Sequence, residues 1–221
     1  MISSDRLTPT RGTVIVQAIL GICSYVILVL PYVRRVQGLS RLDKREQYLF
    51  VSNHVSLLDT IVLGGLMWRH GCYPILVLGD KNVWHASAFK RMLSSKIGFL
   101  LERGKLNLDR VHELESFGRA VAHFQLLVFP EGTRGDGVNV GTCQPGIHCI
   151  AQQAHAPIVP IFIANMQRVS TKRERFHALS GLRQIEVYFG EPITEKEYLK
   201  MSREEFTEFV RVKIAALRPT P

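Results

Sequence analysis

The chain has 221 residues, of which 46% are hydrophobic and 21% are charged. These proportions suit one main domain with a buried core, and they exclude a largely disordered or collagen-like chain. The formal net charge of +9 indicates an anionic partner, such as a nucleic acid, an acidic membrane surface or a phosphorylated substrate. The four cysteines form no CxxC pair, so neither a disulfide scaffold nor a zinc ribbon is expected.

The first predicted element is an apolar segment near the amino terminus. Residues 12–33 carry no charged side chain, and as a helix they would extend about 33 Å, enough to cross a hydrocarbon core. A buried core helix is usually shorter, and no small-residue cleavage site typical of a signal peptide follows. We therefore interpret residues 1–36 as a membrane-anchoring segment, and leave open whether it crosses the membrane or lies in one leaflet.

Basic residues around this segment predict its orientation. Two of them precede it and five follow within residues 34–45. An excess of Lys and Arg marks the cytoplasmic side, so residues 37–221 are expected on that side of the membrane.

Residues 37–221 alternate between short apolar runs and longer amphipathic runs. Strands are predicted at Tyr48–Ser52, Pro74–Leu78, Phe99–Leu101, Gln125–Phe129, Ile158–Ile163 and Gln184–Phe189. Helices are predicted at Leu57–Trp68, Val83–Ile97, Leu108–Phe124 and Pro145–Ala154, with a last helix that a capping box of Ser202 and Glu205 opens. This alternation predicts an α/β fold with a mostly parallel sheet flanked by helices.

Two polar segments interrupt the apolar pattern. In the first, His54 and Asp59 follow a predicted strand. On a continuous helix these residues would be about 140° apart, so they can meet only if His54 lies in the turn before the helix. A carboxylate on one ring nitrogen leaves the other nitrogen as a base, although such a pair in a loop is more often a helix cap and a surface group.

The second polar segment follows the strand predicted to end at Phe129. It contains Pro130, Glu131 and Arg134, with glycines on both sides of Thr133-Arg134. Glycines allow a ligand to approach the backbone closely, and a guanidinium can clamp a phosphate. The pattern of a P-loop is absent, and a surface turn with an ion pair is the alternative.

Together, Asn53-His-x4-Asp59 and Phe129-Pro-Glu-Gly-Thr-Arg134 resemble the glycerolipid acyltransferase family, whose best-known members are 1-acylglycerol-3-phosphate acyltransferases. Residues 98–103, 158–161 and 184–192 are similar to further blocks of that family, in the same order. The resemblance spans about residues 37–195, and it implies that residues 37–221 are a membrane-associated acyltransferase catalytic domain.

The resemblance implies a mechanism. His54 would be the general base that deprotonates an acceptor hydroxyl, and Asp59 would orient it. The oxygen would then attack an acyl thioester of coenzyme A or acyl carrier protein directly, with no metal or other cofactor. Arg103 and Arg134 would bind the anionic head group of a lysolipid. The loop residues expected to shape the acceptor pocket are Glu131, Gly132 and Thr133.

The implied activity is transfer of a fatty acyl group to 1-acylglycerol-3-phosphate, which gives phosphatidic acid in phospholipid biosynthesis. One position departs from the family pattern, because Gln144 stands where a lysine is usual. That departure makes a non-phosphate lysolipid of the lyso-ornithine type the alternative acceptor. A non-catalytic lipid-binding module on the same fold is a further alternative.

The basic residues suggest two anionic partners, lipid head groups and nucleic acids. The stretch Arg168–Arg183 holds five basic residues and one acidic residue, and it predicts either a contact with lipid head groups or a solvated loop. A nucleic-acid partner is not expected, since the charge alone favours it and no nucleic-acid-binding motif accompanies the charge.

Overall fold

The computed structural model describes residues 8–85, 88–101, 108–170 and 176–219. The strands are β1 (Val33–Gln37), β2 (Leu49–Ser52), β3 (Ile75–Asp80), β4 (Gly98–Leu101), β5 (Gln125–Val128), β6 (Ile158–Ala164) and β7 (Ile185–Phe189). The helices are α1 (Arg11–Tyr32), α2 (Leu57–His70), α3 (Lys81–Trp84), α4 (Ala88–Ile97), α5 (Leu108–Arg119), α6 (Gly146–Ala154), α7 (Met166–Val169), α8 (Glu195–Tyr198) and α9 (Arg203–Ala215). Single helical turns lie at Leu39–Arg41 and Ala120–Ala122.

The strands form one seven-stranded sheet in the order β1-β7-β6-β2-β5-β3-β4. Strand β7 runs antiparallel to β6, and the other neighbouring pairs are parallel. Central strand β2 pairs on both sides, with Phe50 opposite Leu127 of β5 and Val159 of β6. The predicted α/β fold with a mostly parallel sheet flanked by helices is confirmed.

Helices cover both faces of the sheet, which explains why its central strands are apolar throughout. All residues of β2, β5 and β6 are buried, as expected for parallel strands enclosed on both sides. One core cluster joins the sheet to α1 and α2 through side chains such as Tyr32 and Met67. The other joins it to α5, α6 and α9 through Phe117, Ile150 and Phe206.

Helix α2 starts and ends at well-defined caps. Ser56 is the N-cap residue, and its capping box with Asp59 satisfies backbone N–H groups of the first turn. The helix ends at Gly71, whose φ of 100° is left-handed and accessible to glycine. These caps fix where the chain passes from β2 into α2, and hence where His54 lies.

Helix α1 is continuous through a π-helical turn at Tyr25–Val29 and packs against α2. The contact is close, since a Cβ atom at Gly21 would lie 2.4 Å from Trp68 Cγ. Buried Gln17 donates hydrogen bonds of 2.9 Å to the carbonyls of Ile75 and Lys96 and accepts one of 2.7 Å from the Ile75 N–H. The polar side of α1 therefore faces the protein.

The opposite side of α1 is aliphatic. Its large exposed hydrophobic side chains are Ile15, Ile19, Ile22, Val26, Ile27 and Leu30. Among the residues that the structure describes, α1 is the helix long and apolar enough to cross a membrane. The mean hydropathy of its most apolar stretch is 2.4, and 22% of that stretch is buried. The domain boundary predicted after residue 36 falls within β1, and it stays a prediction.

Several element boundaries differ from the sequence prediction. The predicted helix at 83–97 is two helices, α3 and α4, and the one at 108–124 ends at Arg119 before a 3₁₀ turn. Strand β1 was not predicted, because four of its five residues are exposed at the sheet edge and include Arg34 and Arg35. Short helices α7 and α8 also escaped prediction, since four residues give no helical periodicity.

Candidate active site

His54 and Asp59 meet at the carboxyl end of β2. Nδ1 of His54 lies 2.8 Å from Oδ2 of Asp59. His54 is in the turn after the strand, whereas Asp59 is the third residue of α2, so the carboxylate reaches back to the ring. This is the arrangement that the sequence required for the pair to meet. With the Nδ1 proton directed at the carboxylate, Nε2 carries the lone pair of a neutral imidazole.

The Asp59 carboxylate is fully buried and held by the backbone. Besides contacting His54, its Oδ2 accepts hydrogen bonds of 2.6 Å and 2.9 Å from the N–H groups of Val55 and Ser56. These N–H groups lie directly before α2, at the helix end where the dipole also favours a negative charge. Among the described residues, Oδ1 has no hydrogen-bond partner. The carboxylate therefore has one fixed position against the imidazole.

Two neighbours hold the turn around His54. The side-chain amide of Asn53 donates to the carbonyl of Ile163 at 3.0 Å and accepts from its N–H at 2.7 Å, which continues the pairing of β2 with β6 beyond the strand. The ring of Phe129 stacks on the imidazole with centroids 4.1 Å apart. His54 is thus restrained in backbone and ring, while 18% of its side chain stays exposed.

Glu131 links this turn to the loop after β5. Its Oε1 accepts a hydrogen bond of 3.0 Å from the His54 N–H, and its Oε2 accepts one of 3.0 Å from the Gly141 N–H. A further bond of 2.6 Å runs from the Gly135 N–H to the His54 carbonyl. Burial raises the pKa of the Glu131 carboxyl, and the two backbone N–H groups oppose that rise. Glu131 therefore contacts backbone on both sides of the site.

A cavity of about 550 Å³ opens beside this turn. It is lined by Val55, Glu131, Arg134, Gly135, Asp136, Asn139, Gly141 and Gln167. Asp136 accepts hydrogen bonds from the N–H groups of Val138 and Asn139, which lower the pKa of its carboxyl. The cavity thus combines one guanidinium with two carboxylates.

The other predicted acceptor-site residues have different positions. Gly132 has a φ of 65° and an exposed backbone, and Thr133 is exposed and does not line the cavity. Gln144 belongs to the same region, since its Cγ is 3.1 Å from the position of a Cβ at Gly132. Arg103 lies outside the described residues.

Sequence reasoning missed several residues of this site. Gln167 and Asn139 line the cavity, and Asn53 was quoted within a motif without a role. One signal was available for Gln167. It closely follows buried strand β6, on the side of the sheet where the carboxyl ends of β2 and β5 also lie.

The buried thiol of Cys143 is not activated. Burial, and next the charge of Glu131, raise its pKa to about 12. Nucleophilic catalysis through a thiol needs the thiolate, so this side chain is unsuited to it at neutral pH. In the described ranges, no group of three or more His, Cys, Asp or Glu side chains could hold a metal ion. That the reaction needs no metal or other cofactor stays a prediction.

Comparison with known proteins assigns the chain to a family. The profile named Acyltransferase matches residues 33–164, a range that contains His54, Asp59 and Arg134. The chain belongs to the Acyltransferase family. The resemblance inferred from the two motifs is thereby confirmed.

Individual relatives within this acyltransferase group carry a common name. A 1-acyl-sn-glycerol-3-phosphate acyltransferase alpha of Ovis aries is 29% identical over 154 residues, covering 69% of this chain and 52% of the relative. A 1-acyl-sn-glycerol-3-phosphate acyltransferase of Saccharomyces cerevisiae is 27% identical over 185 residues, covering 80% and 57%. The chain spans about half the length of these relatives.

The acyltransferase fold also has a solved counterpart. The crystal structure of a 1-acyl-sn-glycerophosphate acyltransferase from Thermotoga maritima matches with a TM-score of 0.66 at 18% identity, covering 91% of this chain and 77% of that one. At this identity the match concerns the fold alone.

Proposed function

We propose that this member of the Acyltransferase family transfers a fatty acyl group from an acyl thioester to the hydroxyl of a lysolipid. The observation that carries the proposal is the 2.8 Å contact between His54 Nδ1 and Asp59 Oδ2. The His54 N–H also donates a hydrogen bond to Glu131, which lines the cavity of about 550 Å³. Lipid binding alone requires no such pair, which argues against a non-catalytic module.

The chemistry follows from the orientation of the imidazole. Nε2 of His54 takes the proton of the acceptor hydroxyl as its oxygen attacks the thioester carbonyl. The tetrahedral intermediate then expels the thiolate, which recovers the proton from the imidazolium. Asp59 stabilises the transient positive charge and keeps the ring in the required tautomer. The acyl group thus moves directly, and no acyl-enzyme is needed.

Arg134 is proposed to hold the anionic head group of the acceptor. It lines the cavity next to Val55 and Glu131, within reach of the turn that contains His54. A guanidinium binds phosphate in a bidentate manner. The names of the relatives support 1-acylglycerol-3-phosphate as the acceptor and phosphatidic acid as the product.

A second acceptor is favoured by the charges of the cavity. Glu131 and Asp136 line it together with Arg134, so its lining is not strongly cationic. Gln144, beside Gly132, lacks the positive charge that a lysine would supply there. Both observations favour a lysolipid without a phosphate, of the lyso-ornithine type.

The donor's or acceptor's acyl chain has a candidate site of its own. An apolar cavity of about 270 Å³ lies between α1, α2, β3 and α4. Its lining includes Leu20, Ile27, Ile61, Gly64 and Trp68. A hydrocarbon chain would be buried there against aliphatic and aromatic side chains, as in other lipid pockets.

We further propose that α1 holds the protein at the cytoplasmic face of a membrane. Its polar residues Gln17 and Ser24 point into the protein, whereas its exposed side is aliphatic, the reverse of a water-facing helix. Because α1 packs along α2 for much of its length, a crossing would draw α2 into the bilayer. We therefore favour insertion into one leaflet, parallel to the surface.

The proposal is tested with the full chain in lipid vesicles. It is supplied with labelled acyl-CoA or acyl carrier protein thioesters and a panel of lysolipids, and the products are identified by mass spectrometry. Phosphatidic acid as the main product supports the leading acceptor. Acylation of a different lysolipid keeps the chemistry and replaces the acceptor, whereas folded protein that acylates nothing in the panel contradicts the proposal.

A further inference from the structure

A turn outside the active site exposes three large apolar side chains close together. Phe176 is 49% exposed, Leu179 is 86% exposed and Leu182 is 43% exposed. Single exposed apolar residues are common on protein surfaces, but three within seven residues form a patch. We call residues 176–182 the apolar turn.

The backbone of the apolar turn is well ordered by hydrogen bonds. Phe176 forms a β-bridge with Ser170, and the His177 N–H donates to the carbonyl of Val169 at 2.8 Å. Within the turn, the Gly181 N–H donates to the His177 carbonyl at 3.0 Å. A backbone held in this way presents Leu179 to the surroundings.

The apolar turn is continuous with the carboxyl end of α1. The rings of Phe176 and Tyr32 make an edge contact with centroids 5.4 Å apart. Arg183, directly after the turn, donates from its backbone N–H to the Pro31 carbonyl at 2.9 Å and from Nη1 to the Val33 carbonyl at 3.1 Å. The turn therefore adjoins the exposed aliphatic face of α1, which ends at Leu30.

Basic residues adjoin the apolar turn in the chain. Arg168 and Arg183 are exposed, and the side chain of Arg34 is 64% exposed and lies 3.8 Å from the Glu186 carboxylate. The sequence adds Lys172, Arg173 and Arg175 immediately before the turn. Apolar side chains rimmed by basic ones complement the boundary between acyl chains and anionic head groups of a bilayer.

We propose that the apolar turn is a second membrane-inserting element, which dips Phe176, Leu179 and Leu182 into an anionic bilayer surface beside α1. The inference rests on the proposed membrane association and is independent of the acyl-transfer chemistry.

The second contact has a consequence for the active site. A single helix lying in a leaflet can rotate about its long axis, whereas a contact away from that axis fixes the rotation. The chain just before the turn is joined to the active-site turn, since the hydroxyl groups of Ser170 and Ser56 are 2.8 Å apart. Insertion of the apolar turn therefore sets which edge of the sheet faces the lipid.

The depth of the turn is measured with a tryptophan at its tip. Leu179→Trp is compared with Leu199→Trp, whose site is 41% exposed and follows α8, on the other face of the sheet. The full chain of each variant is bound to phosphatidylcholine–phosphatidylglycerol vesicles whose acyl chains carry bromine. The emission that Leu179→Trp adds to the wild-type signal is expected to shift to the blue and to be quenched by bromine. An equal response from Leu199→Trp, or added emission in Leu179→Trp that only aqueous iodide quenches, overturns the proposal.

Vesicle binding gives an independent readout. Leu179→Asp is expected to lower the vesicle partition coefficient by about tenfold or more, because it removes one buried leucine and adds a charge. The matched variant Leu199→Asp is expected to bind like the wild type. Equal binding by all three proteins overturns the inference.

The vesicles contain no substrate, so these results are distinguishable from failure of the proposed function. Bromine quenching in the Leu179→Trp variant of a protein that transfers no acyl group supports the inference while the proposed function fails. If the protein is active and bromine does not quench the added indole, the inference fails while the proposed function stands.

Discussion

The buried carboxylate of Asp59 makes a 2.8 Å contact with Nδ1 of His54 and at the same time accepts hydrogen bonds from the backbone N–H groups of Val55 and Ser56, directly before α2. One oxygen therefore caps the helix and orients the imidazole. The start of the helix therefore fixes the position of the base.

Asp59→Asn should reduce turnover far more than stability. The amide oxygen still accepts hydrogen bonds, but the side chain no longer stabilises an imidazolium, so kcat is expected to fall by about 10² to 10⁴. The free energy of unfolding should fall by only about 1 kcal/mol, as for a weakened cap. Steady-state kinetics and denaturant unfolding measure both. Asp43→Asn, an exposed carboxylate before β2, is the matched control, and a similar loss of kcat there would contradict this account.

Glu131→Gln should loosen the turn that carries His54. Glutamine has one acceptor oxygen, so either the His54 or the Gly141 N–H loses its partner, at a cost of about 1–3 kcal/mol. We expect a lower kcat together with a lower free energy of unfolding. Glu204→Gln, at an exposed position of α9, should change neither.

The same substitution has a predicted pH dependence. Burial raises the pKa of Glu131, so the folded protein holds this proton to a higher pH than the unfolded chain. The contribution of Glu131 to stability is therefore complete below its ordinary pKa and declines as the pH rises through the raised value. The stability difference between wild type and Glu131→Gln should be larger at acidic than at alkaline pH. A difference that grows with pH would contradict the assigned direction.

Arg134→Ala should raise KM for a phosphate-bearing acceptor by roughly 10-fold to 100-fold, because hydrogen bonds to charged groups contribute about 1.5–3 kcal/mol. KM for the acyl thioester should stay near the wild-type value. Arg134→Lys retains the charge without the planar fork, so its KM for this acceptor should lie between those of the wild type and Arg134→Ala. An equal effect on acceptors with and without phosphate would show that Arg134 does not read the head group.

Gly64→Leu should shorten the acyl chain that the enzyme prefers. Gly64 lines the apolar cavity and a Cβ there meets no atom within 4 Å, so a larger side chain is expected to occupy part of the cavity. The preference should shift by roughly two to four methylene groups, each worth about 0.8 kcal/mol when buried. Competition among saturated thioesters of increasing length measures the shift. Gly64→Ala should shift it less, and an unchanged preference in both variants would exclude this cavity as the site of the donor's acyl chain.

Much of the fold was predictable because its parallel strands are buried on both faces. Such strands appear in sequence as short apolar runs, and β2, β5 and β6 were each predicted to within two residues. Edge strand β1 was not, because exposed arginines hide its pattern. The antiparallel pairing of β7 was also beyond prediction, since it depends on long-range contacts rather than on local sequence.

The candidate site was predictable where the resemblance supplied the chemistry. His54 and Asp59 were expected to meet only across a turn, and the geometry agrees. The contacts of Glu131 with backbone N–H groups could not be foreseen, because backbone partners leave no mark in a sequence. Gln167 was missed although it follows a predicted buried strand, because α7 is too short to be predicted and only the fold brings it to the cavity.

His54 is proposed to be the base of the acyl transfer. The most direct test compares His54→Ala with wild type for labelled acyl transfer to the lysolipid that the wild type uses. Thermal unfolding and vesicle binding are measured on the same samples. His123→Ala is the control, since this exposed histidine lies just before the amino end of β5, whereas His54 follows the carboxyl end of β2. We predict that His54→Ala loses transfer by at least about 10²-fold while its folding and vesicle binding match the wild type. Wild-type turnover by His54→Ala would contradict the mechanism.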